Sequence, residues 1–167
     1  MSRVVVADAG PLIALARTGH IRLLRELYGT VIVPPLVLAE LRVEENRPGS
    51  RALRTVVSEG WLLETQLRKT SARASLPPAV DPGEAEAVLL AEEVDLRFLL
   101  IDERRGRLLA QRRGLPVVGT GGVLLVAKEK GLVDRVATVL GELAKAGYHF
   151  SAQLRATLLH LAGESER

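Results

Sequence analysis

Short runs of β-branched and aliphatic residues alternate along this chain with longer stretches in which apolar residues recur every three or four positions. Val4–Ala7 is the first such run; residues 30–33, 61–64, 98–101 and 116–118 follow. Continuous apolar runs of this length predict strands buried on both faces. Between them the helical period predicts a helix opened by Gly10 and Pro11, with Leu12, Ile13, Leu15 and Ala16 inward and Gly19 at its end. Further helices are predicted over 20–28, 36–42, 51–59 and 81–94, then from Asp102 through Arg113, from the Gly119–Gly122 stretch through Lys130, over 133–144, and over Ala152–Leu161. The helix at 81 has the clearest start: Asp81 as cap, Pro82 at the first position and Glu84 three residues after the cap. Residues 44–50 and 66–80 read as loops. The second carries Arg68, Lys69, Arg73 and Pro77-Pro78, and is expected to be a solvated connection.

Strands alternating with helices predict an α/β fold, a three-layer α/β/α sandwich around a central, mainly parallel sheet. A chain of 167 residues is expected to form a single domain over 1–167. Its core would lie at about 1–130, with a helical C-terminal extension at 131–167. In that extension Leu154, Leu158, Leu159 and Leu161 are expected to finish the core in preference to serving an interface.

Composition narrows the chemistry. There are no cysteines and only three histidines, so thiol catalysis and disulfides are excluded and oxygen donors remain. Aromatic residues make up only 3%, which argues against stacking platforms as the main route to nucleic acid. The net charge of +3 is too small to name a polyanionic partner. The positive charge is nearly all arginine, with lysine only at 69, 128, 130 and 145. Arginine's planar fork suits phosphate, although a GC-rich coding sequence produces the same bias. No apolar stretch is long enough to span a membrane, and the start MSRVVVADAG runs straight into a strand without a signal-peptide pattern. The expectation is a soluble cytoplasmic protein.

Four carboxylates stand where strands and helices would present them to one cleft. They are Asp8 in VVVADAGPLIALA, Glu40 in VIVPPLVLAELR, Glu84 in DPGEAEAVLLA and Asp102 in FLLIDERRGR. Asp8 and Asp102 follow strands directly, at the end of a parallel sheet where ligands bind. Gathered carboxylates repel one another, and a hard dication such as Mg2+ or Mn2+ removes the conflict. Each acid has a plainer reading. Asp8 and Asp102 suit helix caps, Glu40 suits a solvated helix face, and Glu84 suits a capping-box partner of Asp81. Glu86 and Glu103, offset from Glu84 and Asp102, are expected to face outward.

Four stretches carry a resemblance to a known family: D-x-G-P-L-I at 8–13 after a strand, P-x-x-x-x-E-L at 35–41, G-E-x-E-A-x-x-L-A at 83–91, and L-L-I-D-E-R-R-G-R at 99–107. In their order and spacing, over about residues 1–130, the chain resembles PIN-domain proteins, close to the VapC-like toxin ribonucleases and a related prokaryotic PIN branch. The resemblance implies a metal-binding quartet of Asp8, Glu40, Glu84 and Asp102, with Mg2+ or Mn2+ as cofactor. The G-T-G-G at 119–122 stands where the family keeps a small polar residue, which makes Thr120 a supporting group; capping its helix is the alternative. Many members have Asp where this chain has Glu84, leaving open whether Glu84 ligates directly or through water.

The function implied is metal-dependent hydrolysis of RNA phosphodiester bonds, with Arg104, Arg105 and Arg107 beside Asp102 as candidate phosphate contacts or else a solvated helix face. By the same resemblance the partners are RNA, a small antitoxin protein and a second copy of the chain in a homodimer. Two rivals are a PIN fold that has lost catalysis and only binds RNA or protein, and a receiver-like signalling domain built around Asp102 and Thr120.

Overall fold

A computed structural model describes residues 3–69 and 76–165. Its sheet contains β1 (Val4–Ala7), β2 (Val31–Val33), β3 (Leu62–Glu64), β4 (Leu96–Leu100) and β5 (Val117–Val118), all parallel, in the order β3-β2-β1-β4-β5. The helices are α1 (Ala9–Arg17), α2 (Arg22–Tyr28), α3 (Pro35–Leu41), α4 (Ser50–Ser58), α5 (Pro82–Glu93), α6 (Arg104–Arg112), α7 (Thr120–Glu129), α8 (Val136–Lys145) and α9 (Ala152–Leu161). The architecture is the α/β/α sandwich expected from the alternation. Val5, Val6, Ala7, Val31, Val33, Leu99 and Leu100 are fully buried, as strands covered by helices on both faces require.

The strand order locates the site. From β1 the chain winds outward through β2 to β3, then returns to the other side of β1 and winds outward through β4 to β5. The direction reverses between β1 and β4, and the loops leaving these two strands diverge to open a crevice. Asp8 and Asp102 lie on those two loops. A receiver-like sheet would run 2-1-3-4-5, so the order found here sets that reading aside.

The C-terminal helices are packed into the fold. Leu124, Val136, Val139, Leu140, Leu143 and Leu158 form a second buried cluster joining α7, α8 and α9. Gly121 makes this docking feasible, since a Cβ there would stand 2.7 Å from Leu158 Cδ1. The expectation for α9 holds only in part. Leu158 is buried and Leu159 half-buried, whereas Leu154 and Leu161 are exposed. Leu154 and Leu161 share the face of Leu158, four residues before it and three after, but only Leu158, at the close approach to Gly121, is buried. Of the loop at 66–80, residues 70–75, including Arg73, lie outside the described residues.

Candidate active site

Backbone ladders fix the two strand-end aspartates. Asp8 N–H donates to Leu100 O at 2.9 Å, and Ile101 N–H, next to Asp102, donates to Val118 O at 3.0 Å. Asp8 occupies the N-cap position of α1 with extended backbone, yet its side chain makes no capping bond. It is 6% exposed, and its Oδ1 has no hydrogen-bond partner among the described residues. An unpartnered buried carboxylate oxygen is costly. Burial raises the Asp8 carboxyl to about 6, opposed by the Ala9 N–H and reinforced by the charges of Asp81, Asp102 and Glu103.

Asp102 is held differently. Its Oδ1 accepts from Thr120 N–H at 2.8 Å, and its Oδ2 accepts from the Thr120 hydroxyl at 2.5 Å. Asp102 therefore caps α7 from the loop after the neighbouring strand, and Thr120, itself buried, acts on Asp102 and does not cap its own helix. Gly119 leaves the carboxylate its place: a Cβ there would stand 2.8 Å from Asp102 Oδ1 and 2.9 Å from Arg107 Nη1.

Glu40 and Glu84 come from facing helices, the last turn of α3 and the first turn of α5. Asp81 caps α5, accepting from Gly83 N–H at 3.0 Å and from Glu84 N–H at 3.4 Å. Glu40 is an exposed residue whose carboxyl reaches that first turn, where a Cβ on Gly83 would overlap Glu40 Oε1. Partial burial, then the charges of Asp81 and Asp8 and a hydrogen bond with Asp81, push Glu40 up to about 7. Glu84 turns toward α6, with Oε2 3.2 Å from where a Gly106 Cβ would stand. Burial, then the charges of Asp8, Glu103, Asp81 and Glu40, raise it to about 7 as well.

The four acids singled out in the sequence thus surround one crevice, and two more join them. Asp81 and Glu103 read locally as a cap and an outward-facing residue; both roles are met, and both residues still act electrostatically on the crevice. Their signal in the sequence was adjacency to Glu84 and Asp102. Among the described residues no three His, Asp or Glu are drawn in to metal-ligand spacing, so the carboxylates form an open ring.

Other expectations fare unevenly. Glu86, expected outward, is fully buried, and its Oε2 accepts from Leu36 N–H at 2.9 Å at the start of α3. The helix α5 is covered on nearly every side, with residues 85–91 all buried, so turning away from Glu84 does not reach solvent. Arg104 and Arg105 are exposed at the start of α6, while Arg107 is half-buried and donates to Ile101 O at 2.9 Å. Tyr148, His149 and Phe150 line, with Asp102 and Thr120, a cavity of about 390 Å³, for which neither spacing nor periodicity carries a signal.

A parallel α/β sandwich with an acidic crevice at its switch point defines the class of this protein. A family model described as a PIN domain matches residues 4–164, and the chain belongs to the PIN-domain family. The match runs past residue 130, the approximate limit of the resemblance in sequence, and takes in α8 and α9. The PIN domain is in general a nuclease fold. No curated protein matches the chain. No helix among the described residues is long and apolar enough to cross a membrane.

Proposed function

We propose that the protein is a metal-dependent endoribonuclease. The observation that carries this reading is the buried Asp8, whose unpartnered Oδ1 lies among carboxyls that burial and mutual repulsion push up to between about 6 and about 7. An all-oxygen, over-charged set of this kind is relieved by a hard dication. Asp8, Glu40, Glu84 and Asp102 would hold Mg2+ or Mn2+, with Glu84 ligating directly or orienting the attacking water. Bound there, the ion supplies Lewis acidity at the phosphate and a water activated for attack.

The chain's own residues do the positioning. Thr120 locks both oxygens of Asp102, so this ligand needs no reorganisation when substrate arrives. Arg107 holds the loop carrying Asp102 through the Ile101 carbonyl. That leaves Arg104 and Arg105 as the exposed guanidinium groups of the trio for backbone phosphates. A toxin role, with an antitoxin partner and a homodimer, belongs to this proposal by analogy with the VapC-like branch.

The open ring favours one second reading, a PIN fold that binds RNA or protein without cutting it. Incubation with end-labelled single-stranded RNA separates the two. We expect cleavage in Mg2+ or Mn2+ that EDTA abolishes and that Asp8→Asn and Asp102→Asn each abolish, with cooperative unfolding retained. Equal cleavage in the variants or in EDTA overturns the proposal, and RNA binding without cleavage by the wild type favours the second reading.

A further inference from the structure

We propose that the connection between α8 and α9 is a nucleobase subsite, in which Tyr148 stacks on a base of single-stranded RNA beside the carboxylate ring. This rests on the ribonuclease reading for its substrate, but on different residues. The chain has two Phe, two Tyr and one Trp. Trp61 is buried, and Tyr28 and Phe98 pack edge-on with ring centroids 4.8 Å apart. The remaining two aromatics, Tyr148 and Phe150, are both half-buried and two residues apart.

The connection is held at both ends. Tyr148 N–H donates to Leu143 O at 2.8 Å to close α8, Gly147 takes a left-handed φ of +95°, and Ser151 caps α9 by accepting from Leu154 N–H at 3.1 Å. A loop fixed this way presents its side chains with little ordering cost. Tyr148 also lines two cavities at once. One, of about 380 Å³, contains Glu40, Arg17, Arg42 and Arg47; the other, of about 390 Å³, contains Asp102 and Phe150. Both volumes fall in the roughly 300–1,000 Å³ range of ligand sites. The ring therefore stands between a basic groove on the Glu40 side and the crevice on the Asp102 side.

The basic groove supplies what a nucleotide strand needs next to a stacked base. Arg17 lies 5.6 Å from the Tyr148 ring centroid and is exposed. Arg42 ends α3 with φ +49°, the one described non-glycine residue with positive φ. Such a conformation is uncommon outside Gly, Asn and Asp. Arg42 and Arg47 pair with Glu45 at 3.8 and 2.5 Å, but all three side chains are about half exposed. Exposed pairs of this kind are weak and yield readily to phosphate. Packing of half-buried rings on the α7–α8–α9 cluster accounts for their buried faces. It does not account for three arginines lining the cavity that Tyr148 shares with Glu40, the exposed Arg17 among them over the ring face that a base would take.

The test is binding of a short fluorescent single-stranded RNA to the wild-type chain and two variants in EDTA, with cleavage in Mg2+ assayed separately. Tyr148→Phe keeps the ring, and Tyr148→Leu keeps the apolar bulk without it; the thermal unfolding of each is checked against the wild type. Stacking predicts that Tyr148→Leu weakens binding roughly 5- to 100-fold, while Tyr148→Phe stays within about twofold. An RNA with abasic residues should bind all three proteins alike. Wild-type affinity in Tyr148→Leu, or an equal loss with abasic RNA, overturns the subsite and leaves the ribonuclease reading standing if cleavage persists. A Tyr148 effect without any cleavage keeps the subsite and removes the enzyme. No binding of RNA at all removes both.

Discussion

Three glycines leave room for three of the crevice carboxylates: Gly83 for Glu40, Gly106 for Glu84 and Gly119 for Asp102. At Gly83 the conflict would be with the end of a flexible side chain, so an added methyl displaces Glu40 instead of unfolding α5. Alanine is also the better helix former there by about 1 kcal/mol. We therefore expect Gly83→Ala to keep or raise the urea midpoint while lowering RNA cleavage about 10- to 100-fold, as when a ligand loses its support. Wild-type cleavage by Gly83→Ala would show that the position of Glu40 is immaterial. Residues of this kind differ in how far the sequence discloses them. Asp8 and Asp102 were legible because a buried run ends just before each, and a strand end has few places to point. The outward expectation for Glu86 fails because a helical angle relative to Glu84 says nothing about what covers the far side of α5. Asp81 and Glu103 were hidden behind ordinary local roles that remain true alongside their effect on Asp8 and Glu84.

Among the elements, type and order followed from the hydrophobic pattern, and the departures have local causes. The strand β4 begins at Leu96, two residues before its apolar run suggests: Leu96 pairs with Val4, and Arg97 bulges out of the register before Phe98, with its guanidinium 4.9 Å from the Tyr28 ring centroid. The helix α8 begins at Val136, three residues later than the pattern implied. Its start is set from outside by Glu164, which follows α9. The Glu164 carboxylate accepts from Val136 N–H at 2.7 Å and Ala137 N–H at 3.0 Å, and from Lys128 Nζ at 2.8 Å. A cap contributed by a residue this far along the chain leaves no periodicity to read. Burial alone would raise this carboxyl, but the Lys128 and backbone donors outweigh it and hold it at about 2. A carboxyl depressed below its ordinary 4.5 contributes stability above that pH and loses it as pH falls toward 2. Glu164→Gln should therefore melt below the wild type at pH 7, with the gap closing between pH 4.5 and 2. Equal melting temperatures at pH 7 would mean that the Glu164 anchor does not hold the C-terminal helices.

Across the whole molecule, the topology brings the carboxylates together and leaves them in conflict. A sheet ordered β3-β2-β1-β4-β5 places the ends of β1 and β4 side by side, and α3, α5 and α6 deliver the remaining acids to the same crevice. The alternation of strands and helices disclosed the class of fold, but not that the α8–α9 connection would reach the crevice, since that depends on how α9 docks at Gly121. Asp8 near 6 and Glu40 and Glu84 near 7 are raised above their ordinary values of 3.8 and 4.5. The stability these groups contribute is present below those ordinary values and lost as pH rises through 6 to 7. A dication taking the place of the protons reverses that loss. The central claim, that this ring of acids is a seat for a hard dication, is tested most directly by calorimetric titration of Mn2+ at pH 6.5 in buffers of different ionisation enthalpy. The account predicts binding with release of protons by the wild type, weakened about tenfold or more in Asp8→Asn with folding intact. Mn2+ binding of equal affinity and equal proton release in both proteins, or none in the wild type, would contradict it.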